Sequence, residues 1–270
     1  MDPKRAPSQA DRKVIDQTDP GLAGWDNPIA RLGQALEKDE FSLYCQPILA
    51  LQGAERYPMG EVLVRMREEE RAMLPPGEFL PVFEHYYMMP QLDRWVVSHV
   101  VKHLARGSRL PRFTINVSGQ TLDDREFPKF AAGELMSAGV TAASVLYEID
   151  ESDTLARLQA AARFATAVKA IGGGLLLDGF GRRSVSFTPL KTLRVDFVKV
   201  DGSIVRKLLT SEVARTKMNA ILRVAESIGI GVVAECVEDQ DVLVRLKALG
   251  VGYAQGFGVY QPQPINSIAA

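Results

Sequence analysis

The feature that most constrains the fold is an alternation. Eight short apolar runs, at 41–48, 61–66, 112–118, 144–150, 174–180, 195–201, 231–237 and 252–260, are bounded by turn residues. They are rich in Val, Ile, Leu, Phe and Tyr, which suit a pleated, buried surface. Longer stretches with helical spacing lie between most of them. In QLDRWVVSHVVKHLA (91–105), Leu92, Trp95, Val96, Val100 and Leu104 fall on one face. The stretch 152–173 opens on Ser152 as a helix N-cap and closes on glycines, and 212–230 and 238–251 follow the same pattern. Eight strands alternating with helices predict an α/β fold, a TIM-like (β/α)8 barrel; a doubly wound sheet would use only about five to seven. The 12 residues between the first two runs show no helical spacing. They predict a hairpin, hence one antiparallel strand.

The remaining composition narrows the function. With 32 basic and 33 acidic residues, net charge is −1, which gives no electrostatic case for nucleic-acid binding. No apolar run approaches the roughly 20 residues of a membrane span. The polar opening, residues 1–25, carries no signal-peptide pattern and is expected to be a flexible leader or linker stub, with the barrel over 26–265. Cys45 and Cys236 form no CxxC and are read as inert thiols of a cytoplasmic protein. His99 and His103 lack a third ligand and are read as a helix-surface pair. Gly172–Gly174 end a helix and precede a strand, the reverse of a dinucleotide loop. The charge run 65–73 reads as a solvated face, and 75–90 as a loop and short helix with aromatics packed inward.

Polar residues fall where a barrel puts its chemistry. Asn116, Glu148, Asp178, Lys199, Asp201, Glu235 and Gln255 come late in their runs, toward the mouth where barrel active sites are built. Glu61 starts its run instead; were that strand the antiparallel one, its beginning would share the mouth. Converging carboxylates repel and are costly to desolvate unless a cation joins them. The set holds no His or Cys, so oxygen donors for Mg²⁺ or Mn²⁺ are expected, with phosphoryl chemistry by one or two ions.

These residues lie in ordered blocks that resemble the EAL domain family, bacterial phosphodiesterases and receptors of cyclic di-GMP. EVLVR (61–65) stands at the E-A-L-L-R signature, NVSGQTL (116–122) at N-x-S, YEIDES (147–152) at E-x-T-E, and LDGFG (177–181) at L-D-D-F-G. VDFVKVDGSIV (195–205), VVAECVE (232–238) and YAQGFGVYQPQP (253–264) match the last three blocks, and QPI (46–48) and LDRWV (92–96) add two more. The resemblance implies a barrel with one antiparallel strand and metal-ligand roles for Glu61, Asn116, Glu148 and Asp178. It implies that Asp178 also meets a second ion, shared with the following Asp and with Glu235. Lys199 is then expected to steady the attacking water, and Glu151 to brace the loop after Asp178. Arg65 is expected on a phosphate; Asp93 and Gln46 near a guanine; Phe257 stacked on one; Gln255 on ligand or metal-bound water. Leu63 and Asp201 complete the implied ligand-binding set.

The chain departs from that pattern in one region above all. Gly179 replaces the second Asp, and glycine cannot ligate. The loop after it reads G-R-R-S-V-S-F in place of G-T-G-Y-S-S-L, bringing in Arg182 and Arg183. Asp150 stands where Thr is usual, Val62 for Ala and Cys236 for Gly. The first expectation is a cyclic di-GMP receptor with impaired hydrolysis, one arginine offering the phosphates positive charge in place of a metal. The second is a slow phosphodiesterase giving linear pGpG with one ion. The third is a protein-binding adaptor without nucleotide, against which the retained Lys199 and Glu148 argue. Dimerisation and a signalling partner stay open.

Overall fold

The computed structural model describes residues 25–67 and 73–268. The expected leader lies outside the described residues except for Trp25, as do positions 68–72 of the charge run. The strands are β1 (Phe41–Ala50), β2 (Met59–Met66), β3 (Phe113–Val117), β4 (Val145–Asp150), β5 (Gly174–Phe180), β6 (Phe197–Val200), β7 (Gly231–Ala234), β8 (Tyr253–Ala254) and β9 (Gln263–Pro264). Their order is β2 through β8 in sequence, then β1, which closes back onto β2 and carries the short β9 on its edge. The barrel is therefore closed. Neighbours from β2 to β8 pair in parallel, and β1 runs antiparallel to both β2 and β8.

The hairpin inference holds, and the reversed strand is β1. The conditional placement of Glu61 on an antiparallel strand is corrected: β2 is parallel to β3, with Glu61 opposite Thr114. A hairpin says only that its two strands oppose each other. The crossover through the helices Pro76–His85 and Met89–Ala105 makes β2 and β3 parallel, because such connections join parallel strands.

Three local expectations change. The N-cap after β4 is Asp150, not Ser152: Asp150 Oδ1 accepts from the Ser152 and Asp153 amides at 2.7 and 3.3 Å. The helical stretch that follows breaks at Arg157 (φ −130°, ψ 41°) into Glu151–Ala156 and Leu158–Ala170. The last run pairs only over Tyr253–Ala254. Gly256 then passes so close to Val237 that a Cβ would lie 2.2 Å from its backbone nitrogen, and the chain turns away.

Two apolar layers frame the site. The helices bury Val97, Phe127, Phe164, Met218 and Leu246 against the outer faces of the strands. A separate cluster of Ile48, Met59, Leu146, Leu176, Phe197 and Val233, with Tyr253 against it, plugs the barrel interior. Side chains alternate along a strand, so residues two apart share a face. Stepping two residues from Met59, Leu146, Leu176, Phe197, Val233 and Tyr253 gives Glu61, Glu148, Asp178, Lys199, Glu235 and Gln255. From Ile48 the step runs backward to Gln46, because β1 is reversed. On these seven strands one pleat is thus apolar plug and the next is polar mouth; on β3 the buried Thr114 stands below Asn116. Burying each plug side chain contributes roughly 1.5–3 kcal/mol and dries the floor beneath the polar layer.

A cleft of about 950 Å³ lies at the other end of the barrel, among the strand starts Leu146, Gly174, Phe197 and Gly231. Its cations have local explanations: Lys169, Lys191 and Arg194 sit at the C-terminal ends of helices, where positive charge complements the helix dipole, and Arg112 lies over the Phe197 ring.

Candidate active site

A chain of hydrogen bonds joins six of the expected residues, and an ion pair adds Asp178. The Lys199 ammonium, almost fully buried, contacts Glu148 Oε1, lies 2.9 Å from Glu61 Oε2 and 3.9 Å from Asp178 Oδ1. Asn116 Nδ2 donates to Glu61 Oε1 at 2.9 Å, and Gln255 Nε2 to Glu61 Oε2 at 2.6 Å. Gln255 also donates to Gln46 Oε1 at 3.0 Å, and Gln46 Nε2 to the Tyr260 carbonyl at 2.8 Å. Three carboxylates thus share one ammonium. Burial and the charges of Glu61 and Asp178 push Glu148 up to about 8, against the pull of Lys199. Burial acts upward on Glu61 too, but Lys199 and the donors Asn116 and Gln255 outweigh it and hold its carboxyl low. The same carboxylates keep Lys199 charged despite its burial.

Around the end of β5 a second group forms. Relative to β6, β5 carries one extra residue between Leu177 and Phe180, and Gly179 there has φ +65°. Such a bulge re-aims a side chain, and the left-handed turn suits glycine. Glu151 Oε2 accepts from the Gly181 amide at 3.1 Å, and Glu235 Oε1 from the Gly202 amide at 2.7 Å. Burial, then the Asp178 charge, raises Glu235, so the two carboxylates feel each other. Arg182 fills the space beside Gly179, its Nε 2.7 Å from Asp201 Oδ2 and its Nη1 3.1 Å from Asp150 Oδ2.

Four expected residues stay outside these networks. Asp93 Oδ2 accepts from the Ser118 amide, Ser118 Oγ and Thr121 Oγ1 at 3.0, 2.8 and 2.6 Å, so its bonds hold the turn after β3. Arg65 rests over the Tyr44 ring at 5.6 Å. Leu63 shares the inward face of β2, half-buried, and Phe257 is 65% exposed. The histidines stay apart: His99 stacks on Trp95, and His103 bonds Asn266. Sequence reasoning missed Asp150 as a partner of Arg182. The usable signal was that Gly179, Arg182 and Asp150 depart from the family pattern together and with opposite charges.

The donor set fits a hard cation in chemistry. It is all oxygen, and two of its buried atoms, Glu148 Oε2 and Asp178 Oδ1, have no hydrogen-bond partner. Among the described residues no three His, Cys, Asp or Glu side chains stand as a metal cage; here Glu61, Glu148 and Asp178 gather on Lys199 instead.

A closed barrel with one reversed strand and an acidic, lysine-centred mouth defines a class of protein, and comparison with known proteins gives it a family. The family model described as "EAL domain" matches residues 29–262; the chain belongs to that family. It is 31% identical over 240 residues to cyclic di-GMP phosphodiesterase PdeB of Shewanella oneidensis, covering 88% of this chain and 28% of that protein. It is 30% identical over 238 residues to cyclic di-GMP phosphodiesterase PdeF of Escherichia coli, covering 87% and 32%. The chain thus spans about a third of the length of these curated relatives. Among solved structures, the FimX EAL domain from Pseudomonas aeruginosa bound to c-di-GMP superposes with a TM-score of 0.82 at 27% identity, over 88% of this chain and 97% of that one.

Proposed function

We propose that this domain binds cyclic di-GMP in the barrel mouth and cuts it poorly or not at all. One observation carries the reading: residue 179 has no side chain, and the Arg182 guanidinium stands where one would begin. A Cβ at 179 would lie 2.6 Å from Arg182 Nη2. A site that trades a carboxylate for an arginine at the edge of its acidic cluster has less anionic charge for ions and more positive charge for phosphates.

The residues keep distinct parts in this reading. Where Mg²⁺ or Mn²⁺ binds, Glu61, Asn116, Glu148 and Asp178 are the oxygens placed to hold it, and the ion supplies phosphoryl polarisation and a nucleophilic water. Lys199 holds Glu61, Glu148 and Asp178 together and presents positive charge under the ligand. Glu151 fixes the loop after Asp178 through the Gly181 amide, and Glu235 fixes the turn at Gly202. Arg65 offers a planar fork for a phosphate. Gln46, Gln255, Leu63 and Asp201 line the mouth beside it, with Phe257 exposed for stacking on a base. Asp93 supports the rim by holding the turn at Ser118.

The second reading, slow hydrolysis with one ion, is favoured by the intact Lys199–Glu61–Glu148–Asp178 network. A nucleotide-free adaptor has no use for that network. Calorimetry with cyclic di-GMP, with and without Mg²⁺, tests the ligand; absence of heat at high micromolar ligand refutes it. Incubation with Mn²⁺ and detection of linear pGpG separates enzyme from receptor. Gly179→Asp alone should change turnover little, since its side chain would meet Arg182. Gly179→Asp with Arg182→Thr should raise it, and no gain in the double variant would show that the missing carboxylate is not what limits hydrolysis.

A further inference from the structure

Arg182 is held so that one edge of its guanidinium remains unused. Two aspartates grip it, and each grips the backbone with its other oxygen. Asp150 Oδ1 caps the turn at Ser152 and Asp153 while its Oδ2 takes Arg182 Nη1. Asp201 Oδ1 accepts from the Ser203 amide at 2.9 Å while its Oδ2 takes Arg182 Nε. The guanidinium is therefore fixed from two sides by carboxylates that are themselves anchored. Nη2 has no acceptor among the described residues. It lies over Gly179, one residue from Asp178, on a side chain that is 46% exposed. The guanidinium can lie there only because Gly179 lacks a Cβ, which would stand 2.6 Å from Nη2.

Given the ligand reading above, on which this rests, we propose that Arg182 is a fixed cation of the site, its Nη2 donating to a phosphodiester oxygen of the bound cyclic dinucleotide. The two aspartates orient the fork before the ligand arrives, so little side-chain entropy is lost on binding. Arg183, next in the chain, has no such anchoring among the described residues and is not assigned this role.

The test is calorimetric titration with cyclic di-GMP of the wild type, Arg182→Gln and Arg182→Lys, each in EDTA and in Mg²⁺, from 50 to 500 mM NaCl, with melting curves alongside. Loss of one charge-assisted hydrogen bond should weaken the Gln variant about 10- to 100-fold. The Lys variant, keeping the charge without the fork, should fall between. Wild-type affinity should decline with salt more steeply than that of the Gln variant, because screening acts on the charge removed. An arginine that is only structural would lower the melting temperature and leave the salt dependence unchanged. Equal affinity and equal salt dependence in a folded Gln variant overturns the role of Arg182 and leaves the ligand reading standing. Should the Gln variant not fold, wild-type affinity in the folded Lys variant overturns it equally. No heat from the wild type in either buffer overturns both.

Discussion

Lys199→Met is the most direct probe of the buried network. The ammonium is 2% exposed and is the only cation in contact with Glu61, Glu148 and Asp178 among the described residues. Methionine keeps most of the volume and removes the charge. Breaking a buried ion pair from one side costs about 3–5 kcal/mol, because the remaining charges are left uncompensated. At pH 9, above the value of about 8 to which Glu148 is raised, three carboxylates share the loss, so the upper half of that range is expected in EDTA. A domain of this size moves its Tm by roughly 2–4 °C per kcal/mol, giving a drop of about 8–20 °C. Added Mg²⁺ or Mn²⁺ should return part of that loss, and should stabilise the variant more than the wild type, since an ion can serve as counter-charge. Urea unfolding with and without the ion, followed by circular dichroism, measures both quantities. A loss below about 1 kcal/mol in EDTA would show that the carboxylates are solvated or protonated rather than held by Lys199, and would refute the electrostatic account.

Other outcomes follow from single contacts. Gly179→Ala places a Cβ in the left-handed region and against Arg182, and should cost about 1–3 kcal/mol in urea unfolding while weakening cyclic di-GMP binding. Gly231→Ala would set a Cβ 2.4 Å from Cδ1 of the buried Phe197 ring; overpacking of this kind costs about 1–3 kcal/mol, readable as a shift in urea midpoint at constant slope. Asp93 is raised to about 6 by burial, against its hydrogen bonds from Thr121 and Ser118. The folded state then holds this proton more tightly than the unfolded chain, so stability falls as pH rises from about 4 to 6. Asp93→Asn should remove that fall, worth up to about 3 kcal/mol, and a wild-type-minus-variant difference that stays flat across the interval would contradict it.

The barrel is legible in the sequence because parallel strands buried on both faces read as apolar runs, and their inward polar residues stand out one pleat above the plug. Glu148, Asp178 and Lys199 are visible for that reason. Which strand is reversed is not legible, since a hairpin of β1 and β2 looks the same with either one flipped; only the pairing of β2 with β3 decides it. Ser152 and Asp150 are equally good caps by residue type, and the backbone conformation chooses between them. Asp93 falls within a family block, yet its three donors all come from the turn at Ser118 and Thr121, some 25 residues on, a pairing no local pattern announces. Of the two loop arginines, only the space over Gly179 and the charges of Asp150 and Asp201 single out Arg182 as the anchored one.

The reversal of β1 also decides from which side the chain enters. In an all-parallel barrel the first strand is entered from the floor. Here Phe41 pairs with Met66, so β1 begins at the mouth. The helix Pro28–Glu37, which packs Leu32 and Ala35 into one cluster with Phe41 and Met66, delivers the chain to that rim. One flipped strand thereby sets the loop between this helix and β1 at the mouth, within the rim that also carries Arg67, whose backbone amide bonds the Glu40 carbonyl at 2.7 Å.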